Sequence, residues 1–332
     1  MSAHYNIPVF IPHYGCRHAC IFCDQRAITG QEQPSDVSEA AVVVERYLGW
    51  IPDGARAEIA FFGGSFTGLA EDVMRGYLAM AQSYVRAGKV NGIRLSTRPD
   101  YISAAVCAVL AEYGVTAVEL GVQSMSDDVL SVCARGHTAA DTVRACDEVV
   151  AAGFELTGQM MLGLPQSSLA DEIATAEFIA ASGASGARIY PAIAFPNTRM
   201  FEMYREGSYT PLTLDEAVER CVAVKRIFTA AGVKLLRVGL CSTDMPQGGG
   251  YVGPYHPSFG ELVKSAEYFA EVCKIIDGRG EKPAKIVITA PQREISAVVG
   301  NGRRNIEKLK EKYGVPVEVK AGSGGLTVET EE

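Results

Sequence analysis

The sequence contains no long hydrophobic run. Charged residues, glycine or proline interrupt every apolar stretch before it reaches the roughly 20 residues that a membrane-spanning helix needs. The segment 1–12 also lacks a basic stretch followed by an apolar one, which is the pattern of a secretory signal peptide. We therefore expect no membrane association, a cytoplasmic location and, in that reducing compartment, no disulfide bonds.

The chain has no excess of positive charge. It carries 31 Lys and Arg against 39 Asp and Glu, so its formal net charge is -8 at pH 7. Such a chain does not attract nucleic acid as a whole, and any nucleic-acid site must be a local patch. Hydrophobic residues make up 48% of the 332 residues and charged residues 21%. These proportions are typical of a globular protein and exclude a disordered chain or a coiled coil.

Short apolar segments alternate with helical ones along most of the chain. The apolar segments predict seven buried strands, at residues 7–12, 57–63, 92–97, 117–122, 156–162, 187–192 and 235–240. Helix patterns separate them, and a glycine often follows a helix, as at Gly88 and Gly114. Repeated βα units require right-handed crossovers. The sequence therefore predicts an α/β fold with a parallel sheet, either a barrel or a doubly wound sheet.

A different pattern begins near residue 245. Residues 245–260 are rich in glycine and have no periodicity, which predicts a structured loop, and a helix pattern follows near 261–275. From residue 285 the order is strand, helix, Gly-rich turn, helix, strand, strand. We predict three segments: the βα series over 1–244, the loop and connecting helix over 245–278, and a small α+β domain over 279–332.

Three of the nine cysteines lie close together in the sequence. Cys16, Cys20 and Cys23 form C-x-x-x-C-x-x-C directly after the first predicted strand. Three thiolates can hold a 4Fe-4S cluster and leave one iron open to bind a substrate. A structural zinc site, with His13 or His18 as the fourth ligand, is the alternative. The remaining cysteines are scattered and are expected to be small core residues: Cys107, Cys133, Cys146, Cys221, Cys241 and Cys273.

The cysteine spacing, with the aromatic Phe22 before the last cysteine, resembles the signature of the radical S-adenosylmethionine (SAM) enzymes. This resemblance implies a partial (β/α)6 barrel of the TIM type, whose active site assembles at the carboxyl ends of the strands. It also implies that the open iron chelates SAM, and that an electron from the cluster cleaves SAM to a 5'-deoxyadenosyl radical that abstracts hydrogen.

Polar or Gly-containing turns follow the second to fifth predicted strands, where that family contacts SAM. Gly-Gly-Ser-Phe at 63–66 resembles the turn that meets the SAM amino group, and Gly-Leu-Pro at 163–165 resembles the turn that faces the adenine. Each is weak alone, because such sequences are common in tight turns. Their repetition at equivalent strand ends implies these SAM contacts: Gly63, Gly64, Ser65, Phe66, Thr97, Arg98, Gln123, Ser124, Arg135, Gly163 and Leu164.

Within the superfamily, the chain resembles most the radical SAM domain of the Elongator catalytic subunit, a tRNA-modifying enzyme. The matching runs lie between residues 7 and 260, and Ser-Thr-Arg-Pro-Asp at 96–100 and Arg-Gly-His-Thr at 135–138 carry the resemblance. Oxygen-independent coproporphyrinogen oxidase shares the cysteine spacing and two of the turns, but these two runs favour the Elongator-like branch. The Elongator subunit continues into an acetyltransferase domain, which we do not expect here, so its product cannot be carried over.

Four other residues are candidates for the chemistry. Tyr190 ends the sixth predicted strand, Cys241 follows the seventh and could donate a hydrogen atom, and His256 lies in the Gly-rich loop that could cover the mouth of the site. A core role is the alternative for Tyr190 and Cys241. His137 could contact SAM or substrate, and a structural histidine is the alternative.

The C-terminal segment resembles a KH domain, whose G-x-x-G loop clamps the backbone of about four nucleotides. Here the loop begins at Gly300, and Arg303 replaces its second glycine. Arg304, Lys308 and Lys312 recur on the outer face of the next helix and could hold phosphates. Glu307 and Glu311 dilute that charge, so a solvated helix face is the alternative.

These observations predict a radical SAM enzyme that modifies an RNA base, most readily in tRNA. RNA would bind through Gly300, Arg303, Arg304 and Lys308, and a flavodoxin or ferredoxin would donate the electron. The alternatives are a radical SAM enzyme acting on a small molecule, as coproporphyrinogen oxidase does, and a non-catalytic RNA-binding protein with a structural metal site.

Overall fold

The structure is a computed structural model that describes residues 4–11, 15–16, 19–24, 36–52, 54–242, 245, 249–280 and 283–331. Seven parallel strands form one sheet in sequence order, which confirms the predicted parallel sheet and partial barrel. This half-barrel has one strand more than the (β/α)6 barrel that the family resemblance implies. The strands are β1 (His4–Phe10), β2 (Arg56–Phe62), β3 (Gly92–Thr97), β4 (Val115–Gln123), β5 (Glu155–Leu162), β6 (Gly186–Pro191) and β7 (Lys234–Val238).

Helices connect the strands and cover one face of the sheet. They are α1 (Val37–Leu48), α2 (Glu71–Arg86), α3 (Ala104–Glu112), α4 (Asp127–Val132), α5 (Ala139–Ala151), α6 (Leu169–Ala181), α7 (Arg199–Arg205) and α8 (Leu214–Ala230). The sequence did not predict α4 and α7, which have only six and seven residues. Capping boxes begin α5, α6 and α8, and their paired side chains satisfy backbone N–H groups that lack helical partners.

The main core lies between the strands and the covering helices. On β2 and β3 the alternate residues Ile59, Phe61, Ile93 and Leu95 are fully buried in it. Because strand side chains alternate in direction, Arg94 points to the opposite face, which we call the inner face of the sheet. The half-barrel thus has an apolar outer layer and an inner face that carries charged side chains.

Buried ion pairs fill the base of the inner face. Arg188 on β6 holds both oxygens of Glu119 on β4, at 2.8 and 3.0 Å, and Glu119 is fully buried. Arg94 on β3 donates to Glu58 on β2 at 3.1 Å. The Arg188 guanidinium also lies 5.7 Å from the centre of the Phe62 ring. Buried charges are tolerated when they are paired in this way, and these pairs tie β2 to β6 across the curled sheet.

The C-terminal residues form a second, three-stranded sheet with the predicted order of elements. It contains β8 (Lys285–Pro291), α10 (Ile295–Val299), α11 (Arg304–Tyr313), β9 (Val317–Gly322) and β10 (Thr327–Glu331). The central strand β8 pairs in parallel with β9 and antiparallel with β10. Ile306 and Leu309 of α11 are buried.

One long helix, α9 (Phe259–Asp277), belongs to both cores. Phe259 and Val263 pack in the main core, whereas Val272, Cys273 and Ile276 pack in the core of the small sheet. The small core therefore extends back into α9. The segment limits 1–244, 245–278 and 279–332 stay a prediction. Within the described ranges, no helix is long and apolar enough to cross a membrane.

Candidate functional site

The loop that carries the three cysteines lies against the turn after β2. The sulfur of Cys16 is 3.2 Å from the hydroxyl oxygen of Ser65, and the N–H of Cys23 donates to the carbonyl of Cys20 at 3.1 Å. Gly15 has a φ of +84°, and a Cβ there would stand 2.3 Å from the carbonyl oxygen of Ser65. The close approach of the two turns therefore requires glycine at this position.

Two arginines from elsewhere in the chain converge on Cys20, Arg98 directly after β3 and Arg135 shortly after α4. The Nη1 of Arg135 donates to the Cys20 sulfur at 3.2 Å, and the Nη1 of Arg98 lies 3.9 Å from the same sulfur. Arg98 is held by a two-point pair with Asp100 at 2.9 and 3.0 Å, and Arg135 donates to the carbonyl of Gly121 at 2.6 Å. Two positively charged groups therefore lie beside the sulfur of Cys20.

The backbone around Arg135 has an uncommon conformation. Ala134 has a φ of +50° and Gly136 a φ of +70°, so two left-handed residues flank Arg135. A non-glycine residue in that region costs on the order of 1 kcal/mol or more, and such residues cluster at functional sites. The neighbouring carbonyl of Cys133 accepts from the N–H of Ile21 at 3.2 Å, which ties the cysteine loop to this segment.

A small apolar core holds the cysteine loop in place from the other side. Ile21 packs there with Cys133, Leu164 and Met200, all of which are buried. The predicted SAM residue Leu164 therefore points into this core, and the contribution of its turn to a ligand would come from the backbone. This core could not be predicted from the sequence, because its members come from several separate loops and helices.

Unpartnered polar atoms lie buried beside the cysteine loop. Among the described residues, Gln123 Oε1, Arg135 Nε and both ring nitrogens of His137 have no hydrogen-bond partner. Burial, together with the guanidinium groups of Arg135 and Arg98, lowers the pKa of His137 to about 3. Buried polar groups are almost always satisfied, so this concentration of unsatisfied atoms is what a polar ligand site would leave in its absence.

Three cysteines in one loop are a donor set that fits a 4Fe-4S cluster. In the part of the chain that the structure describes, no three Cys, His, Asp or Glu side chains converge closely enough to hold one ion. A 4Fe-4S cluster binds each thiolate to a different iron, so its three cysteines need not converge on one point. His13 and His18, the fourth ligands considered for zinc, lie outside the described residues.

The turn after β5 is braced by residues that sequence reasoning missed. The N–H of Gly163, whose φ is +72°, donates to buried Glu172 at 2.7 Å, and its carbonyl accepts from Tyr209 at 2.8 Å. Arg220 pairs with the same Glu172 oxygen at 3.0 Å. Glu172 lies in the first turn of α6, and the helix pattern does not predict that its side chain reaches back to this glycine.

Several of the implied SAM contacts make contacts within the protein. Phe66 is buried and stacks on Phe61, with ring centres 4.5 Å apart. The hydroxyl of Thr97 lies 2.7 Å from that of Thr67, and the hydroxyl of buried Ser124 accepts from the N–H of Ser126 at 3.1 Å. Their assignment as SAM ligands, like that of Gly63 and Gly64, stays a prediction.

The three candidate catalytic residues lie on three different segments. Tyr190, near the end of β6, is mostly buried beside Arg188, and this burial raises the pKa of its phenol. Cys241 is exposed, and its sulfur accepts a hydrogen bond from the Nη2 of Arg237. His256 uses its Nδ1 to accept from the N–H of Ser258 at 3.1 Å, directly before α9. The catalytic roles of these residues stay a prediction.

Most of the basic side chains predicted to hold RNA have partners within the protein. Arg304 pairs with Asp215 of α8, and Lys312 pairs with Asp277 at 2.8 Å. The Nζ of Lys308 lies 5.7 Å from the centre of the Phe269 ring. Arg303 is exposed and has a φ of +64°, the conformation expected where the G-x-x-G loop has its second glycine.

Comparison with known proteins identifies the family. The model of the radical SAM superfamily matches residues 10–179, about half of the chain, and the model of the radical SAM C-terminal domain matches residues 184–269. The tRNA uridine(34) acetyltransferase of Methanocaldococcus infernus is 31% identical over 176 residues, which is 51% of this chain and 32% of that protein. Human Elongator complex protein 3 is 29% identical over 222 residues, 60% of this chain and 40% of that protein.

Two solved structures illustrate proteins with a similar fold. The archaeal Elp3 of Methanocaldococcus infernus, with its N-terminus deleted, has a TM-score of 0.64 at 21% identity and covers 82% of this chain and 63% of its own. Coproporphyrinogen III oxidase of Escherichia coli has a TM-score of 0.50 at 15% identity, over 69% of this chain and 52% of its own. The parallel half-barrel, the cysteine loop at its strand ends and the family match show that the chain belongs to the radical SAM superfamily.

Proposed function

We propose that this chain is a cytoplasmic radical SAM enzyme that holds a 4Fe-4S cluster on Cys16, Cys20 and Cys23 and modifies a base in tRNA. The observation that carries the proposal is the position of Cys20, whose sulfur lies 3.2 Å from the Nη1 of Arg135 and 3.9 Å from the Nη1 of Arg98, the residue directly after β3. The curated relatives are named as tRNA-modifying proteins, which supports tRNA as the substrate.

When bound and reduced, the cluster supplies the electron that cleaves SAM to a 5'-deoxyadenosyl radical. The chain itself would provide the binding groups for SAM. The turn at Gly63–Gly64 leads into Ser65, whose backbone lies against the cysteine loop, whereas the N–H and carbonyl of Gly163 are already bonded to Glu172 and Tyr209. Two polar groups lie between these two turns in strand order: the unpartnered amide oxygen of Gln123 and the guanidinium of Arg135. Both groups suit a polar ligand.

The inner face would limit how deeply a substrate enters. The ion pairs of Glu119 with Arg188 and of Glu58 with Arg94 form a polar base whose groups are already paired. Tyr190 lies two residues after Arg188 on the same strand, so its side chain points to the same face nearer the mouth. We infer that Tyr190 contacts the substrate base, since an aromatic ring beside a polar wall suits a planar heterocycle.

The C-terminal unit would help to bind the RNA backbone. Its loop at Gly300 to Arg303 is exposed at Asn301, Gly302 and Arg303, and the φ of +64° at Arg303 matches a clamp-like turn. Because Arg304 and Lys312 are already paired, Arg303 is the side chain of this group that we propose for phosphate contact. A flavodoxin or ferredoxin would deliver the electron.

Nucleoside analysis of tRNA from cells with and without the gene tests this function. We expect one modified nucleoside to disappear on deletion and to return with the wild-type gene or with Cys146→Ala, a buried cysteine on α5 far from the loop in sequence. The Cys20→Ala gene should not restore it. Identical nucleoside profiles for wild type and Cys20→Ala would contradict a role in tRNA and favour a small-molecule substrate.

A further inference from the structure

The three cysteines of the proposed cluster have unequal surroundings. Cys16 has a neutral hydroxyl, that of Ser65, beside its sulfur. Cys20 has two guanidinium groups within reach, with Arg135 at 3.2 Å and Arg98 at 3.9 Å. Both arginines are almost completely buried, with 6% and 3% of their surface exposed. Charges in such a site interact more strongly than charges in water.

The two arginines differ in how far their charge is compensated. Arg98 is 2.9 and 3.0 Å from the two oxygens of Asp100, so that pair carries little net charge. In the described part of the chain, no carboxylate forms an ion pair with Arg135, which donates instead to the carbonyl of Gly121 at 2.6 Å. The uncompensated positive charge beside Cys20 is therefore that of Arg135.

The position of Arg135 is fixed before any cluster binds. Its backbone is bent by the left-handed residues Ala134 and Gly136, and its N–H donates to the carbonyl of Leu130 at 3.0 Å. A Cβ on Gly121 would approach the Arg135 Nη2 to 3.3 Å, so the strand leaves little room on that side. A charge held in this way needs no reorganisation when the cluster changes its oxidation state.

We propose that Arg135 raises the reduction potential of the cluster through its contact with the Cys20 sulfur. This inference rests on the proposed function, because it requires the cluster to be bound by these cysteines. The reduced cluster carries one more negative charge than the oxidised one, and a fixed cation beside it stabilises the reduced form. An N–H···S hydrogen bond acts in the same direction, because it withdraws electron density from the thiolate.

The test is the midpoint potential of the reconstituted full-length protein without SAM, followed by electron paramagnetic resonance during titration with dithionite. Arg135→Met should lower the equilibrium constant for one-electron reduction at least tenfold, which corresponds to about 59 mV. The double variant Arg98→Met/Asp100→Asn removes both charges of a compensated pair and should change the potential less. Arg75→Met removes a surface cation paired with Glu71 and Glu112 and should leave the potential unchanged.

Iron and sulfide content, measured first, separates the possible failures. A wild-type protein that binds no cluster would overturn both this inference and the proposed function. A wild-type cluster whose potential is the same in Arg135→Met and Arg75→Met would overturn this inference alone. If the Met variant loses its cluster, Arg135→Gln replaces it in the measurement. Glutamine is neutral but can still donate a hydrogen bond. This variant should also have a lower potential than wild type, and an unchanged one would be a contradiction.

Discussion

His137 is a buried imidazole whose ring nitrogens have no partner among the described residues. In the folded protein its pKa is lowered to about 3 by burial and by the neighbouring Arg135 and Arg98. In the unfolded chain the pKa would be about 6.5. Between these two values the unfolded state binds the extra proton, so the stability that neutral His137 contributes is present above pH 6.5 and is lost as the pH falls.

We expect His137→Gln to remove this acid sensitivity. From pH 7 to pH 5 the wild-type apoprotein should lose about 2 kcal/mol of unfolding free energy through His137. This loss follows from the difference between its pKa of about 3 in the folded protein and about 6.5 in the unfolded chain. The variant should lose correspondingly less, whatever its stability at pH 7. Urea unfolding at the two pH values measures the difference. An equal loss in both proteins would show that His137 is protonated in the folded state.

The sequence predicted the chemical groups of the site but not their contacts. The cysteine spacing predicted three metal ligands, an assignment that stays a prediction, and the strand-end runs made Arg98 and Arg135 candidates. That both arginines lie against Cys20 could not be read from the sequence, because they are 78 and 115 residues away from it. The left-handed Ala134 was equally hidden, since alanine carries no signal for that conformation.

At the scale of elements, the packing of the cysteine loop depends on two glycines. A Cβ on Gly68, in the short turn after β2, would stand 2.3 Å from the carbonyl oxygen of Gly15 and 2.9 Å from the ring of Tyr101. Contacts below 3 Å require one of the two turns to move. Since the moving part would include the backbone beside Cys16, the geometry of the cluster ligands depends on this contact.

Gly68→Ala should therefore reduce cluster incorporation while the barrel still folds. We expect the iron content after anaerobic reconstitution to fall several-fold, with an unchanged circular dichroism spectrum. Gly76→Ala is the matched control, because its Cβ would meet Val37 at an ordinary 3.5 Å and alanine favours the helix α2. Full iron content in Gly68→Ala would mean that the two turns are not packed as described.

The turn between α10 and α11 stores strain at Arg303. This residue has a φ of +64°, where a side chain costs on the order of 1 kcal/mol that glycine avoids. Arg303→Gly should raise the unfolding free energy by about 1 kcal/mol or slightly less, because glycine also gains entropy in the unfolded chain. Asn301→Gly, at a position without positive φ, should not stabilise the protein. A loss of stability in Arg303→Gly, measured by urea unfolding, would contradict the assigned conformation.

Within the half-barrel, the elements that the sequence predicted are those with a long pattern. Seven strands with continuous apolar character and helices of nine or more residues were found, with ends displaced by a few residues. The short helices α4 and α7 span fewer than two turns and offer too few positions for a helical period. The charges on the inner face, such as Glu119 and Arg188, did not disturb the strand prediction because each is a single residue in an apolar run.

At the scale of the whole molecule, the shared helix α9 joins the two units. Asn305, at the start of α11, donates to the backbone carbonyl of Ser265 in α9 at 2.9 Å, and it also donates to carbonyls of α10. The sequence predicted a segment limit between residues 278 and 279, close to the end of α9. Truncation there would expose Val272 and Ile276, so point variants are the cleaner way to study the C-terminal unit.

Because the net charge of the chain is -8, RNA must bind to a local basic patch. The affinity of that patch for RNA should depend on salt concentration. We expect the logarithm of tRNA affinity to fall linearly with the logarithm of salt concentration. Arg303→Ala should flatten that slope by about one unit if it removes one phosphate contact. Lys310→Ala, whose lysine already pairs with Glu307 at 3.0 Å, should change the slope less. Equal slopes for wild type and Arg303→Ala would show that this loop does not contact phosphate.

The most direct test of the whole account is the formation of 5'-deoxyadenosine from SAM by the anaerobically reconstituted, dithionite-reduced protein. Wild type and Cys146→Ala should bind a 4Fe-4S cluster and form 5'-deoxyadenosine. Cys16→Ala, Cys20→Ala and Cys23→Ala should each fold but form none, because each removes one of the three proposed iron ligands. Full iron content, or undiminished 5'-deoxyadenosine formation, in a protein with all three cysteines replaced by alanine would contradict the account.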